Sequence, residues 1–159
     1  MRVLLVNDDP RYRALVRHHL TCVWPDADIV NYNPVIRGPL QPGFLAQGYD
    51  AVLLDQAWKG GDGFSWLAEL TSRPGFAPVV FLLERDNESL AEAARKAGAY
   101  AVLSLAKVDH EKLTSTLRAA GVRQQNKMAE WRGANFAREL QTFGGAYVKG
   151  YRRVKRIAS

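Results

Sequence analysis

Two short apolar runs in this 159-residue chain each stop abruptly on carboxylates. Arg2-Val3-Leu4-Leu5-Val6 runs into Asn7-Asp8-Asp9-Pro10, and Ala51-Val52-Leu53-Leu54 runs into Asp55. A Gly-rich turn, Gly60-Gly61-Asp62-Gly63, follows close behind Asp55. A lone Asp in such a place would read as a turn-forming carboxylate at a strand end. Asp8, Asp9 and Asp55 together are a different matter. Carboxylates brought close repel one another, which raises a pKa or recruits a cation. An all-oxygen set of this kind suits Mg²⁺, which takes one or two carboxylates and keeps several waters.

Convergence of the three acids requires the two runs to be neighbouring parallel strands. Both are short and unalternated, the pattern of strands buried on both faces. Open sheets of this type place ligand chemistry at the carboxyl ends of their strands. Pro10 suits a first helical turn, and apolar or small residues from Tyr12 to Val23 fall at helical spacing before Trp24-Pro25. Within that helix His18 and His19 read as solvated or half-packed, and Cys22 as a small buried residue. Asp28 to Tyr32 is a second strand. Pro34, Gly38, Pro39, Pro42 and Gly43 then predict an irregular loop, with a short helix only around Phe44–Gln47. Phe64 to Leu70 reads as a helix ended by Pro74-Gly75, and Val79 to Leu83 as an apolar strand. Asn87 caps a helix to Lys96, with Gly98 just past its end. Ala101 to Leu105 is the last strand, and Asp109 caps a helix to about Ala120. Alternation with short loops predicts an α/β fold, a doubly wound parallel sheet of five strands.

Composition narrows the class of protein. An apolar share of 47% supplies a core, and no run reaches the length of a membrane helix. The first residues do not read as a signal region, so a cytoplasmic protein is expected. A single cysteine excludes an internal disulfide, and three histidines make a His-built metal site improbable. Residues 1–120 hold 13 basic and 14 acidic side chains, whereas residues 121–159 hold 9 and 2. The whole basic excess therefore lies in the last quarter, which predicts two parts with different partners.

The sequence resembles the receiver domain of two-component response regulators, over Arg2 to about Ala120. The residues that carry the resemblance are Val3 to Pro10, Tyr49 to Asp55, Gly60 to Phe64, Pro78 to Leu83 and Gly98 to Ser104. Five segments in order at family spacing make it specific. It implies a flavodoxin-like fold with strand order 2-1-3-4-5, a receiver domain at 1–120 and a basic helical linker or tail at 121–159. It implies that Asp55 is the phospho-acceptor, taking a phosphoryl group from a histidine kinase or another phosphodonor. It also implies Mg²⁺ held by Asp8, Asp55 and the Ala57 backbone carbonyl, with Asn7 and Asp9 secondary. A homodimer through the fourth and fifth helices is a further family habit.

Three positions depart from the family. Its hydroxyl-bearing switch residue falls on Leu83, its switch aromatic on Val102 and its lysine on Leu105. Leucine can neither donate a hydrogen bond to a phosphoryl oxygen nor pair with a negative group. The resemblance thus implies a degenerate receiver, strongly dependent on a divalent cation, with output through the C-terminal linker. One alternative is a working Mg²⁺-dependent phospho-acceptor that regulates a fused or partner kinase, with Lys107 substituting for the lost lysine. A second is a flavodoxin-like enzyme binding a nucleotide or flavin. Asn7-Asp8-Asp9-Pro10 speaks against that one, because a phosphate cradle needs glycine and bare backbone N–H groups.

In the tail, Met128, Trp131, Ala134, Leu140 and Phe143 predict an amphipathic helix broken at Gly144-Gly145. Tyr147 to Ser159 then alternates basic and apolar residues as a solvated strand would. With no helix-turn-helix, nucleic acid is not an expected partner. Tyr151 to Ser159 also resembles, more weakly, the first strand of a Ser/Thr protein kinase, which would make the chain the regulatory front of a longer, kinase-bearing protein.

Overall fold

Five parallel strands are laid down with helices between them, and two of those strands deliver the acids to one place. The structure is a computed structural model. It describes the backbone of residues 1–44 and 48–157 and the side chains of residues 1–44 and 48–141. In chain order the elements are β1 (Arg2–Val6), α1 (Pro10–Val23), β2 (Asp28–Tyr32), α2 (Pro34–Arg37) and β3 (Ala51–Asp55). There follow the two-residue strands β4 (Ala57–Trp58) and β5 (Gly61–Asp62), α3 (Gly63–Ser72), β6 (Val79–Leu83), α4 (Glu88–Lys96), β7 (Ala101–Ser104) and α5 (His110–Ile157).

The main sheet has the order β2-β1-β3-β6-β7 and is parallel throughout. With the hairpin strands β4 and β5 set aside, this is the 2-1-3-4-5 order of the flavodoxin-like fold. The connections reverse direction between β1 and β3, the switch point at which such sheets form a crevice. In the register Val6 pairs with Leu54, so Asn7 and Asp55 are the next positions on adjacent strands.

Burial on both faces explains the apolar runs. One cluster joins Leu4, Val6, Val52, Leu54, Val79, Phe81 and Leu83 to Trp66, Leu67, Leu70, Ala91 and Ala94 of α3 and α4. The other joins Val3, Leu5, Ala51, Leu53, Val80 and Leu82 to Val16 and Leu20 of α1 and Leu113 and Leu117 of α5. Alternate residues of each strand go to opposite faces, as a pleated strand requires.

Local chemistry overrode the sequence expectation in three places. Pro34 does not break a helix but starts one, since a first-turn residue has no N–H to lose. Asn33 caps that helix, its Oδ1 accepting from the Val35 N–H at 3.0 Å. The expected helix around Phe44–Gln47 lies, beyond Phe44, outside the described residues. Cys22 is exposed rather than buried. Finally, α5 does not stop near Ala120 or at Gly144-Gly145, and the expected strand after Tyr147 is helical as far as Ile157. Each interior glycine costs a helix about 1 kcal/mol, too little to end it without a proline or a cap. The contacts divide the chain into a unit Met1–Gln125 and a second unit from Asn126 on.

Candidate functional site

Asp55 ends β3 with only 7% of its surface exposed. Burial raises its carboxyl pKa from 3.8 to about 6, and the nearby Asp8 pushes the same way. The backbone N–H groups of Gln56 and Ala57 and the side chain of Asn7 pull in the opposite direction and lose. Asn7 is fully buried and donates from Nδ2 to Asp55 Oδ2 at 2.6 Å. Its Oδ1 accepts from the Asp9 N–H, also at 2.6 Å.

The Gly-rich turn folds back against Asp55. Ala57 pairs with Asp62 and Trp58 with Gly61, and Gly60 makes the corner at φ 82°. The Gly63 N–H donates to the Gln56 carbonyl at 2.7 Å, pinning the excursion shut. A Cβ on Gly63 would stand 2.1 Å from the Asp55 carbonyl oxygen and 2.9 Å from Phe81, so no larger residue fits. Asp62 caps α3, its carboxylate accepting from the Ser65 N–H at 3.0 Å and the Ser65 hydroxyl at 2.8 Å. Those bonds hold its pKa below the usual carboxylate range. Across the turn, the Lys59 N–H donates to Asp8 Oδ2 at 3.2 Å. Trp58 packs over Gly61 and meets Trp66 edge-on, ring centroids 5.1 Å apart.

Asp8, Asp9, Arg11, Tyr12, Asp55, Gln56, Ala57 and Glu84 line one cleft of about 290 Å³. Asp9 reaches it but is otherwise employed. It caps α1, accepting from the Arg11 N–H at 2.8 Å, and its other oxygen pairs with the Arg11 guanidinium at 2.8 Å. That pairing holds its pKa below the ordinary value. The dipeptide Asp9-Pro10 is itself the signal for this role, an N-cap before a first-turn proline. Among the described residues, no group of three or more His, Cys, Asp or Glu side chains is arranged to hold a metal ion. With Asp9 so engaged, Asp8, Asp55 and Glu84 are the carboxylates left to share the cleft.

The other positions singled out in the sequence lie elsewhere. Leu83 is 2% exposed and belongs to the core cluster packed by α3 and α4. Val102 is partly buried against that cluster, and Leu105, 8% exposed, belongs to the opposite one. Lys107 makes an ion pair with Asp86, which holds the Asp86 pKa low, and it does not line the cleft.

No family model and no curated protein sequence matches the chain. Many solved structures do. The signal receiver domain of a DNA-binding response regulator (merR) from Colwellia psychrerythraea 34H superposes with a TM-score of 0.63 at 24% identity, over 75% of this chain and 96% of that one. The receiver domain of a putative Luxo repressor protein from Vibrio parahaemolyticus gives a TM-score of 0.64 at 16% identity, over 80% and 95%. The response regulator ChrA of a heme-sensing two-component system gives 0.58 at 28% identity, over 76% of this chain and 56% of that protein. The fold is that of the response-regulator receiver domain.

Proposed function

We propose that the chain is a regulatory receiver module of two-component signalling, not an enzyme, in which Asp55 occupies the phospho-acceptor position and phosphate-driven switching has been lost. The observation that carries this reading is the separation of its parts. Asp55 sits in the cleft with Asp8 and Ala57, while Leu83, Val102 and Leu105 are packed into the core and Lys107 is held by Asp86. In phosphoryl transfer the protein contributes positioning and charge neutralisation. Here a carboxylate is positioned, but the side chains at the switch positions 83, 102 and 105, and Lys107, do not line the cleft that would hold its phosphate.

Asp8, Asp55 and Ala57 have the oxygen donors that Mg²⁺ takes, and the depth of Asp55 beside Asp8 leaves negative charge for such an ion to offset. Bound there, Mg²⁺ would neutralise oxygens of an incoming phosphoryl group. This chain's own residues orient the acceptor: Asn7 holds Oδ2, and the closed turn behind Gly63 fixes the backbone after Asp55. The natural donors are a histidine kinase or a small acyl phosphate. In either case an Asp55 oxygen would bond to phosphorus as the P–N or P–O bond to the leaving group breaks. Output is assigned to the helix beyond the receiver unit.

A phosphodonor assay with intact-mass measurement tests the reading. Incubated with acetyl phosphate and Mg²⁺, the protein should show no stable gain of a phosphoryl group, and Asp55→Asn should behave identically. A lasting adduct on Asp55 accompanied by a change in tryptophan fluorescence would establish a working switch instead.

A further inference from the structure

Asn7 is held on every side. Its backbone N–H donates to the Tyr32 carbonyl at 3.1 Å, and its carbonyl accepts from Arg13 Nη1 at 3.3 Å. Its amide has one possible orientation. The Asp9 N–H can only donate, so the Asn7 oxygen must face it; the ionised Asp55 carboxylate can only accept, so the Asn7 nitrogen must face that. Both bonds are short, and the one to Asp55 is buried, where an unpaired polar group costs more than it would in water.

An aspartate at position 7 would keep the first bond and invert the second. Its carboxylate would meet that of Asp55 at hydrogen-bond distance, with Asp8 beside them, a repulsion that cation binding or protonation would relieve. The amide therefore holds Asp55 Oδ2 without adding a further charge that a cation would have to offset. From this geometry, and resting on the reading of Asp55 and Asp8 as an acceptor site, we infer that Asn7 is the positioning residue that frees the site from an obligatory divalent cation. The chain has lost its lysine and its cation requirement together, and Asn7 holds the acceptor carboxylate in their place.

The test compares the full chain with Asn7→Asp and Asn7→Ala, without any phosphodonor. Mg²⁺ affinity is followed by tryptophan fluorescence and by calorimetry, and thermal stability is measured in EDTA and in excess Mg²⁺. Asn7→Asp should bind Mg²⁺ roughly tenfold or more tightly than the parent, the scale on which ligand charge tunes such sites. It should melt lower than the parent in EDTA and recover in Mg²⁺. Asn7→Ala should melt lower in both conditions without gaining affinity, which separates loss of the donor from gain of an acid. Equal Mg²⁺ affinity and equal EDTA stability in the parent and Asn7→Asp would overturn the inference while leaving the acceptor site standing. Absence of Mg²⁺ binding in all three would overturn the site and the inference with it. Because the phosphodonor assay does not enter, its outcome and this one are read independently.

Discussion

Asp55 carries a cost at the scale of a single residue. Its folded-state pKa of about 6 lies above the ordinary 3.8, so between those values the folded protein binds more protons than the unfolded chain. The contribution of the protonated carboxyl is complete below about pH 4 and is lost as pH rises to about 6. Above that, holding the charge there, buried and beside Asp8, is a standing penalty of roughly 3 kcal/mol. Asp55→Asn keeps an acceptor for the Asn7 amide and removes the charge. At neutral pH the variant should therefore be more stable than the parent by roughly 1–2 kcal/mol, and the advantage should vanish toward pH 4. Urea titrations across that range check it, and a gap constant with pH would show that burial of this charge is not the cause. His19 leans the other way. Burial and the neighbouring His18 and His110 lower its pKa, so its contribution fades as pH falls below the ordinary 6.5.

At the scale of elements, pleating decides what the departures from the receiver pattern can do. Val79, Phe81 and Leu83 share one face of β6, and Leu103 and Leu105 face the opposite core across β7. A hydroxyl restored at position 83 would arrive where an apolar side chain now fills space. Leu83→Thr should cost roughly 1–3 kcal/mol in thermal unfolding and bring no response to phosphodonor, since position 105 is a buried leucine and Lys107 is paired with Asp86. A phosphodonor-dependent change in that variant would show that the switch had lost one residue rather than its whole apparatus. Much of this frame was legible in the sequence. Unalternated runs such as Val52-Leu53-Leu54 mark doubly buried strands, and Asn87 and Asp109 are caps because their side chains can do little else before a helix. Less legible were features that depend on what the chain meets after folding. Pro34 starts a helix because Asn33 precedes it, and Asp9 is drawn from the acid cluster by Arg11. The pairing of Lys107 with Asp86 joins two loops whose approach no spacing encodes. Of the site itself, Asp8 and Asp55 could be read from their strand ends. The hydrogen bond from Asn7 to Asp55 could not, because it resides in the direction of one amide.

At the scale of the whole molecule, burial and charge divide the chain. Within α5, Leu113, Leu117, Ala120 and Gln124 are buried in the receiver unit. Beyond Gln125 the pattern ends: Trp131, Phe136 and Leu140 are 51%, 62% and 55% exposed. A helix that buries so little relies on its own backbone hydrogen bonds, and such segments open locally at low free energy. Lys127, Arg132 and Arg138 offer trypsin sites within this stretch. Limited trypsin digestion should therefore cut first within residues 126–141, before any site of the receiver unit, where Arg2, Arg13 and Arg73 are hydrogen-bonded to the fold. The fragment left should end near Gln125 and melt cooperatively close to the temperature of the full chain. Cleavage inside Met1–Gln125 at the same rate, or loss of the cooperative melt once the tail is removed, would mean that the second unit holds up the receiver core instead of being carried by it.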